Sequence, residues 1–575
     1  MPQGRRVNKQ GEPQAIRRRY DRCGRSSRGR SGATERRAGG EIWCGECADA
    51  EGSTLYQYRE KYLLPLTCLR VLWLGVRSAW HKTTSFRFSP EYLFKSSKSQ
   101  NRIPVSVPTT LVWLRDDLRI TDNPALLEAS RRGAVVVVYV LDDLSEQVRP
   151  LGAASRWWLH HSLTALATSL GELGGSLVLR RGRADAVIPQ LVKETGASAV
   201  YWNRRYSAAR DIDAGLKSML REQGLEVTSF QGSLLFEPWT VTTGEGNPYR
   251  VFTPFWKACQ ETGEPRQPLP APDAIAAPAP DGEDVGTVAP AAAIDSDDLD
   301  SWALLPTKPD WAGGLRERWV PGEASAAESL EAFAEDVLTD YHRRDEPGHE
   351  ATSHLSPHLR FGEISPFQVW HRIRGDLDAG ARANAAKFLS EIGWREFNWS
   401  ILYNFPALAE ANYRPDFDVF PWEDPAKEPH RTELAAWKSG NTGIPLVDAG
   451  MRELWQTGYM HNRVRMVTAS FLIKNLLIDW RVGEQWFWDC LVDADEASNP
   501  GNWQWVAGSG ADAAPYFRIF NPVLQEKKFD PRRTYISRWI PGDELYPQPI
   551  VDLGVSRKEA LAAYDIVKNT ARQPS

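Results

Sequence analysis

The feature that most constrains this chain is an alternation between residues 109 and 231. Five short apolar runs stand there: TTLVWLR (109–115), GAVVVVYVLDD (133–143), SLVLRRG (176–182), AVYWNRR (199–205) and LEVTSFQ (225–231). Amphipathic stretches such as Trp157 to Leu173 and Ala184 to Thr195 separate them. Short apolar runs read as strands, and strands alternating with helices close into one parallel sheet. The expectation is a Rossmann-like α/β domain over residues 108–232. No G-x-G-x-x-G follows the first run, so the usual dinucleotide turn is absent from this domain.

Composition divides the rest. Residues 233–310 are rich in Pro, Ala and Asp and read as an interdomain linker, with YRVFTPFW (249–256) as an ordered island. Helical periodicity then runs from 311 to 545, giving an all-α domain, and 546–575 is expected as a C-terminal tail. Residues 1–107 are Arg-, Ser- and Gly-rich and aperiodic at their start, which predicts a basic, disordered extension outside the working part of the protein. The apolar stretch Tyr62 to Trp80 is broken by Arg70 and Arg77. It falls short of the ~20 apolar residues that a membrane span needs.

Charge and cysteine narrow the function classes. The net charge is −5, but the first 107 residues alone carry +12, so the remainder carries −17. An acidic body does not draw nucleic acid through its overall field, and any such binding must come from a local basic patch. Six cysteines, four of them before residue 69, fit a reduced, intracellular chain. The single C-x-x-C at Cys44 and Cys47 has no second pair, and no metal site is expected.

The most informative stretch is Met460 to Asn521, with MHNRVRM (460–466), IDW (478–480), DADEASNPGNWQW (493–505) and GADAAPYFRIFNP (510–522). Upstream lie WLRDDLRITDNPAL (113–126), TSHLSP (352–357), EIGWREF (391–397) and GIPLVDAGMREL (443–454). By themselves the residues leave alternatives open. Thr352, Ser353 and Ser356 form a hydroxyl-rich turn that suits a helix cap or a phosphate. Asp493 and Asp495 suit acid–base work or a solvated turn. Glu391 and Trp394, three apart, share a helix face, as in any amphipathic helix. The 24 Trp are mostly core filler.

Taken in order, these motifs resemble the photolyase/cryptochrome family over about residues 109–545, and most of all the cyclobutane pyrimidine dimer photolyases of class I/III type. The resemblance implies an α/β domain followed by a helical domain that buries U-shaped FAD. It implies FAD contacts from Tyr341, Thr352, Ser353, Leu355, Ser356, Phe388, Arg465, Asp493, Asp495 and Asn499. Arg465 pairs with Asp493, keeping positive charge beside a reduced, anionic flavin. Asn499 faces flavin N5, where plant cryptochromes carry a carboxylate. An amide does not readily protonate N5, which suits the reduced flavin that repair requires.

For the substrate, the resemblance implies that Glu391 hydrogen-bonds the lesion. Trp394 and Trp505 wall it, and Asn462 and Met466 line the floor. The damaged bases must leave the duplex to reach this pocket. The (6-4) photolyases carry a His pair near this motif; here His461 is followed by Asn462 and then Met466, which argues for cyclobutane dimers. Trp422, Trp480 and Trp503 take the electron-transfer positions. Arg395, Asn462, Arg463, Arg518 and Lys527 are DNA-contact positions, and Lys528, Arg532 and Arg533 add basic charge nearby. The implied activity is light-driven repair of cyclobutane pyrimidine dimers by electron transfer from excited reduced FAD, in a monomeric intracellular protein acting on UV-damaged DNA. The alternative is a cryptochrome-type blue-light photoreceptor. WNRRYS (202–207) falls at a family antenna site, so a second chromophore, methenyltetrahydrofolate or deazaflavin, is compatible with the sequence.

Overall fold

The computed structural model describes residues 107–278, 294–375, 379–513, 517–542 and 545–571. Apart from Val107, the basic extension lies outside them. Five strands form one sheet: β1 (Thr109–Leu114), β2 (Ala134–Leu141), β3 (Leu177–Arg181), β4 (Ala199–Asn203) and β5 (Glu226–Phe230). Their order is β3-β2-β1-β4-β5 and every pairing is parallel. Each apolar run became a strand, with ends trimmed by a residue or two. In β1 only Thr109 is not fully buried. That is the behaviour of a parallel strand covered on both faces, and it explains why the run is continuous rather than alternating.

The period of two still decides which side chain goes where. Val112, Leu114, Val135, Val137 and Tyr201 point to one face, against Trp157, Trp158 and Leu163 of the helix Ala153–Glu172. Leu111, Trp113, Val136, Val138 and Trp202 point to the other, against Ile188, Leu191, Leu216 and Leu220. Each such side chain contributes roughly 1.5–3 kcal/mol by leaving water.

The stretch 233–310, where described, is docked rather than loose. Its island forms the helix Phe252–Glu261, which buries Phe255, Trp256 and Cys259. The chain then returns to the sheet: Asp122 N–H donates to the Leu269 carbonyl, Ile275 N–H to Leu173, and Val135 N–H to Ala276. Beyond Leu299 the structure is helical. The long helix Ala379–Asn404 and the helices Pro445–Thr457, Asn462–Asn475, Trp480–Cys490 and Ser498–Ala507 frame its core. Residues 546–575, expected as a tail, hold the helix Leu553–Ala571. It buries Ser556, Ala560, Ala563 and Val567, a helical spacing that seats it on the domain. Among the described residues no helix is long and apolar enough to cross a membrane.

Candidate functional site

Helical spacing assembles the site. Glu391, Trp394, Asn398 and Ile401 recur every three or four residues along Ala379–Asn404 and face one way. Asn462, Met466 and Ala469 do the same on Asn462–Asn475, as do Asn499, Asn502, Trp503 and Val506 on Ser498–Ala507. These faces enclose a cavity of about 570 Å³. Small-molecule sites typically span roughly 300–1,000 Å³. All six residues expected to be catalytic, Glu391, Trp394, Asn462, Met466 and Trp505 for the lesion and Asn499 for the flavin, line it.

Its electrostatic anchor is Asp493, whose side chain is 3 % exposed. Arg465 donates from Nη1 to Oδ1 at 3.1 Å and from Nη2 to Oδ2 at 2.8 Å. The Ser356 hydroxyl donates to Oδ2 at 2.7 Å. Arg465 Nε donates to the Met460 carbonyl at 2.6 Å. Burial disfavours the Arg465 charge, but Asp493 outweighs it and holds the guanidinium above its ordinary value. A buried ion pair is tolerable only when its polar atoms are satisfied, as here. Tyr459 lies under the guanidinium at 5.1 Å, and burial pushes its hydroxyl up to about 12.

Six of the ten expected cofactor residues line the cavity: Tyr341, Thr352, Ser356, Arg465, Asp493 and Asn499. Four do not. Leu355 and Phe388 lie in the core behind it, with Phe388 edge-on to Tyr341 at 5.4 Å, because their apolar side chains pack inward. The Ser353 hydroxyl accepts from Leu355 N–H at 3.4 Å. One Asp495 oxygen accepts from the Ala497 and Ser498 N–H groups where the helix Ser498–Ala507 begins. Among the described residues there is no cluster of His, Cys, Asp and Glu that could hold a metal ion.

At the opening, Glu391 is flanked by Lys387 at 2.9 Å and Arg344 at 3.8 Å. Neither cation was anticipated, although Lys387 stands four residues before Glu391 on the same helix face. Trp394 stacks on Phe252 with centroids 3.9 Å apart and planes 9° apart. Phe252 N–H donates to Asp512 Oδ1 at 3.4 Å, Asp512 N–H donates to the Arg250 carbonyl at 3.0 Å, and Trp505 Nε1 donates to the Asp512 carbonyl at 3.2 Å. The island 249–256 therefore buttresses one tryptophan and is tied to the loop that orients the other. His461 caps its helix by accepting from Arg463 N–H at 3.2 Å. Burial lowers the imidazole to about 4, so it stays neutral.

The three tryptophans expected to carry electrons differ in depth. Trp503 lines the cavity. Its ring lies against Gly483, where a Cβ would come within 2.2 Å, so glycine lets it touch the helix that carries Trp480. Trp480 is fully buried and donates to Asn412 Oδ1 at 2.9 Å. Trp422 is half-buried beside Phe420 at 4.2 Å.

The expected DNA-contact residues separate likewise. Asn462 and Arg463 line the cavity, and Arg463 pairs with Asp345 at 2.9 Å. Arg518 lies 5.5 Å from the Trp505 ring, and Lys527 is exposed on the helix Pro522–Phe529. Arg395 also lines the cavity. Its side chain is 15 % exposed, donates to the Ser233 carbonyl at 2.9 Å and pairs with buried Glu396 at 3.3 Å. It fastens the connection to the helix.

Sequence and structure comparisons relate the chain to known proteins. A family described as DNA photolyase matches residues 110–273, and the FAD binding domain of DNA photolyase matches residues 388–545. The deoxyribodipyrimidine photo-lyase of Agrobacterium fabrum (strain C58) is 49% identical over 490 residues, covering 80% of this chain and 98% of that protein. Cryptochrome-1 of Arabidopsis thaliana is 37% identical over 446 residues, 75% of this chain and 62% of its own. The crystal structure of a class III photolyase from Agrobacterium tumefaciens superposes with a TM-score of 0.75 at 47% identity, covering 82% of this chain and all of that one.

Proposed function

The chain belongs to the photolyase/cryptochrome family, and from that premise we propose that it repairs cyclobutane pyrimidine dimers in DNA with blue light, as a deoxyribodipyrimidine photo-lyase. One observation carries the reading: Glu391, Trp394, Asn462, Met466, Asn499 and Trp505, from three separate helices, meet at one cavity with an amide at position 499.

FAD fits that cavity. The Arg465–Asp493 pair and the Thr352 and Ser356 hydroxyls supply polar partners, while Leu408, Ala469, Phe487 and Trp503 offer apolar surface to a planar ring. When bound and reduced, FAD supplies, on excitation, the electron that splits the cyclobutane ring and then recovers it. The rest belongs to the chain. Arg465 holds positive charge at a fixed point, and Asp493 keeps it there. Trp394, backed by Phe252, gives the extruded bases a rigid stacking wall. Glu391, between Lys387 and Arg344, is an acceptor for the N–H groups of the pyrimidine edge. The apolar slot excludes water from the reacting bond. Arg344, Arg463, Arg518 and Lys527 take the phosphates on either side, which gives the acidic protein its local attraction to DNA.

In this reading the protein acts as a monomer inside the cell. The test is blue-light treatment of a thymine-dimer oligonucleotide with the FAD-loaded, reduced protein, followed by dimer counting. Loss of dimers in light and not in the dark is expected. FAD that responds to light while dimers persist would identify a photoreceptor instead.

A further inference from the structure

The indole of Trp480 has a neutral partner. Trp480 is fully buried, and its Nε1–H donates to Asn412 Oδ1 at 2.9 Å. An indole N–H can only donate, so it fixes the amide with its oxygen inward and its two N–H bonds outward. Asn412 Nδ2 in turn donates to Asp418 Oδ1 at 2.7 Å. Asn412 is buried, whereas Asp418 stands at the surface. An amide therefore separates the indole from the carboxylate behind it.

The segment that carries Asn412 is held by the helix that carries Trp503. Gln504, fully buried, donates from Nε2 to the Leu408 carbonyl at 2.7 Å and to the Ala411 carbonyl at 2.9 Å, and its Oε1 accepts from Tyr413 N–H at 2.8 Å. On the other side Arg481 Nε donates to the Glu410 carbonyl at 2.6 Å, and the same guanidinium lies 4.7 Å from the Trp480 ring. Arg481 Nη1 also donates to Asp479 Oδ2 at 2.9 Å. A backbone bridge between Glu423 and Ile478 brings the segment of Trp422 alongside, and Trp422 packs on the core that holds Trp480.

Oxidation changes the acidity of the indole N–H. Loss of one electron makes it a far stronger acid, and the Arg481 cation beside the ring pushes the proton off further. A base at that position would take the proton and leave a neutral radical, a weaker oxidant that stalls in the core. An amide oxygen is too weak a base to take it, yet it bonds a positively charged N–H more strongly than a neutral one.

We propose that Asn412, aimed by Asp418 and by the Gln504 clamp, keeps the Trp480 proton on its nitrogen while the ring is oxidised, so that the electron vacancy passes on to Trp422. The proposal rests on the reading that Trp480 relays electrons between Trp422 and Trp503. One electron goes from Trp503 to oxidised FAD, one from Trp480 to Trp503 and one from Trp422 to Trp480, and a thiol in solution refills Trp422. The Trp480 proton stays in place throughout.

The test is flash spectroscopy of the protein loaded with oxidised FAD, following the tryptophan radical, whose protonated and deprotonated forms absorb differently. Continuous blue light with a thiol donor gives the yield of reduced FAD, and FAD content confirms that each variant is loaded. Asn412→Asp sets a base against the N–H at unchanged size. It is expected to show the deprotonated radical in the core and to lower the yield roughly tenfold, the scale of one hydrogen bond to a charged group. Lowering the pH until the introduced carboxyl is protonated should restore the yield. Asn412→Leu removes the acceptor without supplying a base, and should lower the yield with no deprotonated radical in the core and no such pH dependence. In the parent, the step from Trp480 to Trp422 should run equally fast in heavy and ordinary water. A parent-like spectrum and yield in Asn412→Asp, equal losses in both variants without pH dependence, or a solvent isotope effect on that step in the parent would each overturn the proposal. If instead Trp480→Phe photoreduces FAD like the parent, Trp480 is off the path, and the reading beneath the proposal fails together with it.

Discussion

Two crevices in this molecule are built from the same residue types and reach opposite ends. In the α/β domain the strand order reverses beside β1, and the ends of β1 and β4 open a crevice of the sort that binds ligands in parallel sheets. Here it is filled. Arg115 reaches Asp213 at 3.1 Å, Arg205 reaches Asp213 at 2.6 Å, Arg204 pairs with Glu237 at 2.6 Å, and Asn203 donates to Asp117 at 2.7 Å. About 30 Å³ remains, room for a water molecule or two. The WNRRYS segment spends its arginines on these pairs. In the helical domain Arg465 and Asp493 are paired just as tightly, yet the space beside them stays open at about 570 Å³. A tight ion pair does not by itself mark a site. What marks one is satisfied charge next to unfilled apolar volume.

The sharpest way to break this comparison uses tryptophan, which both regions bury. Trp480→Phe should abolish light-driven reduction of oxidised FAD with a thiol donor, because phenylalanine is far harder to oxidise. Repair by chemically reduced enzyme should persist. Trp202→Phe, in the sheet core against Trp113, should leave FAD photoreduction at the parent rate. Equal effects of the two would erase the distinction and remove Trp480 from the electron path.

The two aspartates come next. Breaking a buried pair costs about 3–5 kcal/mol, but the cost should fall in different places. Asp493→Asn should strip most FAD from the purified protein, read by flavin absorbance. Asp213→Asn strands Arg115 and Arg205 and should lower the melting temperature while the remaining folded protein keeps its flavin. Full FAD in Asp493→Asn would detach that pair from the cofactor site.

Trp394→Ala should weaken binding of a dimer-containing oligonucleotide by roughly 1–3 kcal/mol, the worth of one stacked base, with photoreduction unchanged. Parent-like binding in a gel-shift titration would misplace the lesion wall. The smallest effect belongs to the buttress behind it. Phe252→Leu keeps the bulk but loses the parallel stack, and dimer affinity should fall by roughly 0.5–1.5 kcal/mol. If the variant loses FAD instead, the island supports the cofactor and not the lesion wall.

Much of this was legible in the chain, and the reason differs by region. The strands were visible because a run such as VVVVYVL is buried on both faces whatever lies around it, so burial is written locally. The cavity residues were visible through the ordered motifs that resemble the photolyase/cryptochrome family; helical spacing alone, which carries Glu391 with Trp394 onto one face, fits any amphipathic helix. Less visible was the docking of the helix Leu553–Ala571, whose small Ala560 and Ala563 make a weak apolar stripe.

The sequence by itself thus determined the sheet and the helical half, since each depends on neighbours within a few turns, and its family resemblance named most side chains at the cavity. Tertiary structure alone decided what those side chains do with their polar atoms. Arg395, at the cavity, is bonded to Ser233, 162 positions away. Phe252 found Trp394, and Arg149 found Glu484 across 335 positions of chain. A guanidinium or a ring has no preferred distant partner until packing brings one within about 3–4 Å, and that distance, not residue type, sets whether it binds a ligand, braces a wall or orients an amide.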